Sequence, residues 1–181
     1  QIRFIFVGEQ EQYDKAHRIF PLCPTLERVI IFDDSVRISS HDPNALYFED
    51  FLKLGEDLPR QTELEKRWKE ANNDDLCNIL YTSGTTGESK GVMLTYGQYG
   101  AAFVANDECV PVGEKDRVIC FLPFTHIFER AWAILCLSEG AQLIINTYPN
   151  EIQNSMRETN PTCMSSVPRF WEKVYQAVNE N

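Results

Sequence analysis

The sequence predicts an α/β protein with a layered, mostly parallel sheet flanked by helices. Short apolar runs alternate along the chain with longer segments whose apolar residues recur at helical spacing. This alternation is typical of β-α-β units, in which crossover helices join parallel strands. The 181 residues, 43% apolar and 24% charged, have the composition of an ordinary globular domain and suffice for one.

The first part of the chain, residues 1–60, is predicted to be a leading β-α-β part. Its expected elements are a strand over 3–7, a helix over 9–20, a strand over 28–32, a turn-rich segment over 33–47 and a helix over 48–55. A charged amphipathic helix over 61–72 follows, with Leu64, Trp68 and Ala71 on one side.

The second part, residues 74–181, is predicted to carry a phosphate loop. Its expected strands are 77–82, 92–95, 117–122, 142–146 and 162–165, and its expected helices are 96–108, 126–138, 150–158 and 168–179. The last helix has an apolar face, formed by Trp171, Val174, Tyr175 and Val178. We assign both parts to a single partial domain over 1–181.

Charge and apolar patterning disfavour two classes of function. The net charge of −10 repels phosphate backbones, so general nucleic-acid binding is not expected. A single anion site built from backbone N–H groups stays compatible with that charge. The longest clean apolar run, 131–137, has seven residues, whereas a membrane-spanning helix needs about 20.

The six cysteines predict reduced thiols. They lie at least 11 positions apart, which excludes CxxC pairs and zinc-ligand spacing. Four of them lie inside apolar runs: Cys77, Cys120, Cys136 and Cys163. We therefore expect core thiols of a cytosolic protein rather than a disulfide framework.

A loop rich in glycine and hydroxyl residues follows strand 77–82 and is the strongest candidate for chemistry. Gly84 and Gly87 permit positive φ and a close approach of the backbone to a ligand. Side chains suited to phosphate oxygens lie beside them: Thr82, Ser83, Thr85, Thr86 and Lys90. The order of residues departs from the P-loop motif, since Gly91 follows Lys90 where Ser or Thr would stand. The residues alone leave open a nucleotide site or a flexible surface loop.

Residues 81–95, YTSGTTGESKGVMLT, resemble the phosphate-loop signature YTSGTTGxPKG of the acyl-adenylate-forming enzymes. That superfamily includes acyl-CoA synthetases, luciferases and the adenylation domains of peptide synthetases. The resemblance implies that this loop holds the β- and γ-phosphates of ATP. The implied phosphate-binding residues are Thr82, Ser83, Gly84, Thr85, Thr86, Gly87 and Lys90. It further implies a Mg²⁺ contact at Thr86 and a catalytic role for Lys90 toward departing pyrophosphate.

This sequence departs from the signature at two positions. Ser89 replaces the usual proline, which should loosen the loop slightly, and Tyr96 stands where histidine is common. Neither change removes a phosphate ligand.

Four flanking segments resemble long-chain fatty acyl-CoA synthetases: residues 6–16, 23–33, 121–132 and 160–175. Within them, residues 126–130 (HIFER) favour the fatty-acyl branch of the superfamily over the aryl and aminoacyl branches. The resemblance implies that His126 lies where acyl chain, adenylate and pantetheine tunnel meet, which makes it a second catalytic candidate.

Residues near His126 carry separate expectations. Arg130 stands where some bacterial relatives have a gating tryptophan, and Trp132 is expected to pack in the helix core. Glu129 and Arg130 form either a site pair or an ordinary surface pair. Arg169 and Lys173 are expected on a solvated helix face, and His17 and His41 on the surface.

The resemblance implies that the parent protein, the longer protein of which we expect this chain to be a piece, is an ATP-dependent fatty acid–CoA ligase. Its substrates and cofactors would be a fatty acid, ATP, Mg²⁺ and coenzyme A, with acyl-AMP formed before acyl-CoA. Two alternatives stay open: an adenylate-forming ligase for aryl, short-chain or amino acids, and a non-catalytic nucleotide-binding module.

The sequence begins at Gln1, directly before a strand-like run, and lacks the family's adenine, ribose, Mg²⁺-glutamate and lid-lysine motifs. We therefore expect an internal piece of the large N-terminal domain, inactive alone and prone to self-association through cut surfaces. The parent protein is expected in the cytoplasm, with peripheral contact to the inner membrane face left open.

Overall fold

The computed structural model describes residues 2–56, 60–84 and 87–180. The chain divides into two compact units, 1–70 and 71–181. Both contain parallel strands flanked by helices, so the predicted α/β class is confirmed. The assignment of 1–60 and 74–181 to one partial domain stays a prediction.

The first unit is a parallel three-stranded sheet with helices. Its described elements are β1 (Phe4–Val7), α1 (Gln10–Ile19), a 3-10 turn (Phe20–Leu22), β2 (Arg28–Ile31), β3 (Ala45–Tyr47), α2 (Phe48–Glu56) and α3 (Gln61–Glu70). The strand order is β1-β2-β3. Val29, Ile30 and Ile31 of the central strand are fully buried, which explains why an uninterrupted apolar run marks β2.

Strand β3 was not predicted, although it lies at the end of the segment 33–47 that was expected to be turn-rich. Val29, Ile30 and Ile31 pair with Ala45, Leu46 and Tyr47 in parallel register. A three-residue strand carries too few residues for a periodic pattern, so only the neighbouring strand reveals it. The helix predicted over 61–72 ends at Glu70, and Trp68 on its expected apolar side is exposed.

The second unit combines a hairpin with a parallel sheet. Its described elements are β4 (Leu76–Ser83), β5 (Ser89–Thr95), α4 (Tyr96–Asp107), β6 (Arg117–Cys120), α5 (Ile127–Ser138), β7 (Gln142–Ile145), a 3-10 turn (Pro149–Glu151), α6 (Ile152–Thr159), β8 (Cys163–Met164) and α7 (Pro168–Asn179). Strands β4 and β5 pair antiparallel, while β7-β6-β8 is parallel.

Strand β6 is the buried centre of the parallel sheet. Val118, Ile119 and Cys120 are almost fully buried, and Val118 and Cys120 share one core with Ala133 and Cys136 of α5. The six cysteines are free; Cys120 and Cys136 are buried, whereas Cys77 and Cys163 are only half-buried. Burial raises the pKa of the Cys120 and Cys136 thiols to about 12, so both stay protonated and unreactive at neutral pH.

The amino-terminal ends of β6 and β8 are tied by Asp116. Its carboxylate accepts hydrogen bonds from the Thr162 hydroxyl at 2.7 Å and from the Gly113 N–H at 2.9 Å. The same hydroxyl oxygen accepts from the Arg117 N–H at 3.0 Å. These hydrogen bonds therefore connect the turn before β6 to the residues that lead into β8.

Helix α7 forms as predicted but its apolar face is open. Trp171, Tyr175 and Val178 are more than half exposed. The periodicity identified a helix correctly, while the described residues provide no covering layer for that face. In the parts of the chain that the structure describes, no helix is both long and apolar enough to cross a bilayer.

Candidate functional site

The predicted phosphate loop connects the two strands of the β4–β5 hairpin. Thr82 lies opposite Lys90 and Ser83 lies opposite Ser89 in the antiparallel register. Directly opposed residues point to the same face, so the Thr82 hydroxyl and the Lys90 ammonium group share one side of the hairpin. Both are exposed, as expected for a loop open to a ligand.

The backbone at Gly84 leaves no room for a side chain. Its N–H donates to the Glu88 carbonyl at 3.2 Å, and a Cβ at this position would lie 2.5 Å from that carbonyl oxygen. The same Cβ would lie 3.3 Å from Cε of Lys90. Gly84 thus lets the Lys90 stem fold against the loop backbone, which places the only cation of residues 81–95 beside the turn.

Gly87 closes the described end of the turn. Its N–H donates to the Gly84 carbonyl at 3.1 Å, and its φ of 83° lies in the left-handed region that glycine adopts without strain. Thr85 and Thr86, predicted to contact phosphate and, for Thr86, Mg²⁺, lie outside the described residues. Their roles stay predictions.

His126 lies at the N-cap of α5, in the segment that follows β6. The side chain is exposed, and its backbone N–H donates to the Pro123 carbonyl at 3.0 Å. The segment leaves the carboxyl end of a parallel strand, the edge at which ligands bind in open α/β sheets. The position suits a substrate contact, and the proposed chemical role of His126 stays a prediction.

Glu129 and Arg130 form neither a site pair nor a surface pair. Glu129 is 0% exposed; its carboxyl oxygens accept hydrogen bonds from the Leu122 N–H at 3.4 Å and from the Ser165 hydroxyl at 2.8 Å. Arg130 donates from Nε to the Phe124 carbonyl at 3.0 Å. Both side chains therefore hold the segment that carries His126.

The structure also confirms the predicted burial or exposure of five other side chains. Trp132 packs against the core of the second unit, although its buried indole N–H has no partner among the described residues. Arg169 and Lys173 are exposed on α7. In the first unit His17 and His41 are exposed, and His17 Nδ1 lies 2.8 Å from Oδ2 of Asp42.

A cavity of about 280 Å³ at the carboxyl ends of β6 and β7 was missed from the sequence. Its walls are Cys120, Phe121, Leu122, Pro123, Phe124, Ile145, Asn146, Thr147 and Pro149. The sequence predicted both strands correctly. A cavity at the carboxyl edge that they share could therefore have been expected, because ligands bind at that edge of parallel sheets. The buried Asn146 continues the pairing by donating from its N–H to the Cys120 carbonyl at 2.9 Å.

The predicted site residues fall into two groups within the second unit. Thr82, Ser83, Gly84, Gly87 and Lys90 lie together on the antiparallel hairpin. His126 belongs to the segment after β6 in the parallel sheet.

Comparison with known proteins found relatives that are similar to this chain in sequence. Long-chain-fatty-acid–CoA ligase 1 of Saccharomyces cerevisiae is 35% identical over 146 residues, covering 76% of this chain and 20% of that protein. Long-chain-fatty-acid–CoA ligase ACSBG1 of Homo sapiens is 29% identical over 186 residues, covering 97% of this chain and 25% of that protein. The chain thus spans a fifth to a quarter of these relatives.

Solved structures share the fold. A red-emitting luciferase from Phrixothrix hirtus superposes with a TM-score of 0.70 at 15% identity, covering 92% of this chain and 32% of that chain. A long-chain-fatty-acid–CoA ligase from Archaeoglobus fulgidus gives 0.63 at 17% identity, covering 97% and 32%. The family model described as AMP-binding enzyme matches residues 1–181, and the chain therefore belongs to the AMP-binding enzyme family.

Proposed function

We propose that this chain is the phosphate-loop-bearing part of an ATP-dependent long-chain fatty acid–CoA ligase. The fatty carboxylate attacks the α-phosphate of ATP, giving acyl-AMP and pyrophosphate; the CoA thiol then attacks the acyl carbonyl and AMP leaves. The observation that carries this proposal is the exposed β4–β5 hairpin, which presents Lys90 and a tight glycine turn on a family-matching chain.

On the phosphate side, the hairpin supplies positioning and charge. The Lys90 ammonium group neutralises charge that develops on the leaving pyrophosphate, and the Thr82 hydroxyl on the same face donates to a phosphate oxygen. Gly84 and Gly87 carry no Cβ, so we propose that phosphate oxygens approach the loop backbone closely at these two positions. Mg²⁺ would accompany the nucleotide, with Thr86 as its proposed contact, and neutralise phosphate charge there.

On the acyl side, His126 shapes and polarises the site. It is exposed at the start of α5, where its imidazole can meet a ligand at the carboxyl edge of the parallel sheet. The long-chain fatty acid as substrate is supported by the names of the relatives in yeast and human.

The test uses the full-length protein that carries this chain. Purified protein, ATP, Mg²⁺ and palmitate should support exchange of labelled pyrophosphate into ATP, and added CoA should yield palmitoyl-CoA. Exchange with benzoate, acetate or an amino acid in place of palmitate would favour another adenylate-forming ligase. ATP binding without exchange on any acid would favour a non-catalytic nucleotide-binding module.

The isolated 181-residue chain is the matched comparison. We propose that it makes no acyl-CoA and binds ATP weakly, with a Kd of about 1 mM or higher, because phosphate contacts in an exposed loop lack low-dielectric surroundings. Its open apolar faces, including that of α7, are proposed to promote self-association, which sedimentation of the chain would reveal.

Peripheral membrane contact of the parent protein would appear as co-sedimentation with anionic vesicles.

A further inference from the structure

Glu129 is buried without a charged partner. The residue is 0% exposed, and among the described residues no basic side chain lies within ion-pair distance of its carboxyl group. Burying a carboxyl group away from water destabilises the fold unless hydrogen bonds replace those that it makes to water. The two donors described above, the Leu122 N–H and the Ser165 hydroxyl, provide that compensation.

The two donors lie in different loops of the parallel sheet. Leu122 follows β6, and Ser165, itself buried, follows β8. Strands β6 and β8 are parallel neighbours, so both donors lie at the carboxyl edge of the sheet. One side chain from α5 thus fixes two loops at the edge where ligands bind.

The local sequence would suggest a simpler role for this glutamate. Glu129 stands three residues after the N-cap His126, the position from which a glutamate commonly bonds back to the N-cap N–H. Here that N–H donates to the Pro123 carbonyl instead, at 3.0 Å. The carboxyl group of Glu129 turns inward and is used for tertiary contacts.

We propose that Glu129 is a positioning residue for the acyl half of the site, which it serves by fixing the 121–126 segment that carries His126. This inference rests on the proposed ligase function. Glu129 holds the start of the segment at Leu122, and Arg130 holds its middle through the Phe124 carbonyl. The same segment forms part of the wall of the cavity at the carboxyl ends of β6 and β7. Its displacement would therefore change the shape of that wall as well as the position of the His126 imidazole.

The first experiment compares Glu129→Ala with Glu129→Gln in the full-length protein. The alanine variant loses both acceptors, whereas the glutamine keeps the shape and one oxygen for the Leu122 N–H. We expect Glu129→Ala to lower kcat/KM for palmitate at least about tenfold, with the KM for ATP within about twofold of wild type. Glu129→Gln should recover most of that loss.

Ser165→Ala and Ser166→Ala form a matched pair that removes one hydroxyl each. Ser165 donates to Glu129, whereas the buried Ser166 hydroxyl has no hydrogen-bond partner among the described residues. Only Ser165→Ala should lower kcat/KM for palmitate, by about threefold to tenfold, as expected for one lost hydrogen bond. If Glu129→Ala fails to fold, this pair and Glu129→Gln decide the question.

A double-mutant cycle separates positioning from general structural support. If Glu129 acts through the His126 segment, the losses from Glu129→Ala and His126→Ala should be strongly less than additive. Fully additive losses, an equal rise in the KM for ATP, or an unchanged kcat/KM for palmitate in Glu129→Ala and Ser165→Ala would overturn the inference. If the wild-type protein formed no acyl-CoA, the proposed function itself would be wrong, whatever the role of Glu129.

Discussion

The β4–β5 hairpin and the segment after β6 both carry proposed ligand contacts, but they are held in opposite ways. The described residues of the hairpin turn are mostly exposed, and backbone hydrogen bonds at Gly84 and Gly87 close it. The segment after β6 is fixed by a fully buried carboxyl group and by Arg130. The described part of the turn thus depends on backbone contacts between near neighbours, whereas the segment after β6 depends on side-chain contacts that reach as far along the chain as Ser165.

The largest effect should follow removal of the hairpin's charge. Lys90→Met retains the apolar stem but removes the ammonium group, so we expect pyrophosphate exchange to slow by about 100-fold, the scale of losing one transition-state contact. Thioester formation from preformed palmitoyl-AMP should change far less, because pyrophosphate has already left. Lys115→Met, in the turn before β6, is the charge-matched control. Equal losses in both half-reactions would show that Lys90 has no specific role toward the leaving group.

Gly84→Ala tests whether the shape of the turn matters apart from its charge. The new Cβ would lie 2.5 Å from the Glu88 carbonyl oxygen, so the turn must shift and the Lys90 stem with it. We expect a loss of about tenfold in pyrophosphate exchange with little change in unfolding free energy, because the turn is exposed.

Gly100→Ala is the control for that substitution. No heavy atom lies within 4 Å of the added Cβ, and the site is inside α4. Activity should be unchanged, and stability should rise by about 0.5–1 kcal/mol from the higher helix propensity of alanine. If Gly84→Ala exchanged pyrophosphate at the wild-type rate, the shape of the turn would not matter for the reaction.

His126→Ala should affect the other half of the reaction. We expect kcat/KM for palmitate or CoA to fall by about tenfold, while the KM for ATP stays within about twofold of wild type. His41→Ala, which removes an exposed histidine of the first unit, should leave both values unchanged. Wild-type kinetics in the His126 variant would assign that histidine a structural role only.

The smallest effect concerns the opposite end of the β6–β8 pair, where Asp116 forms its tie. The hydrogen bond from Thr162, and then that from the Gly113 N–H, hold the pKa of Asp116 below its ordinary value. The stabilisation is therefore present above the unfolded-state pKa of about 4 and is lost as pH falls through the lower folded-state value.

Asp116→Asn measures that contribution. Urea unfolding of the chain should show the variant to be less stable than wild type at pH 7, with the difference shrinking as pH falls below about 4. Asp107→Asn, at an exposed position near the end of α4, serves as the comparison. A difference that is constant from pH 7 to pH 2 would show that ionisation of Asp116 is not involved.

Local patterns in the sequence determined much of the fold. The apolar run at 28–32 and the helical spacing at 126–138 identified β2 and α5 within two residues of their observed ends. Residues 81–91 identified the candidate phosphate loop and the family. These predictions succeed because helix and strand periodicity, and the conformational freedom of glycine, are properties of neighbouring residues.

Only the tertiary structure decided which contacts those elements make. Glu129 has the spacing of an N-terminal helix cap, yet it is buried because β8 brings Ser165, 36 residues away, to its carboxyl group. β4 and β5 proved to be antiparallel partners, and the apolar face of α7 stayed open. Such outcomes depend on residues far apart in sequence, whose approach is fixed by strand pairing and packing and leaves no local periodic signal.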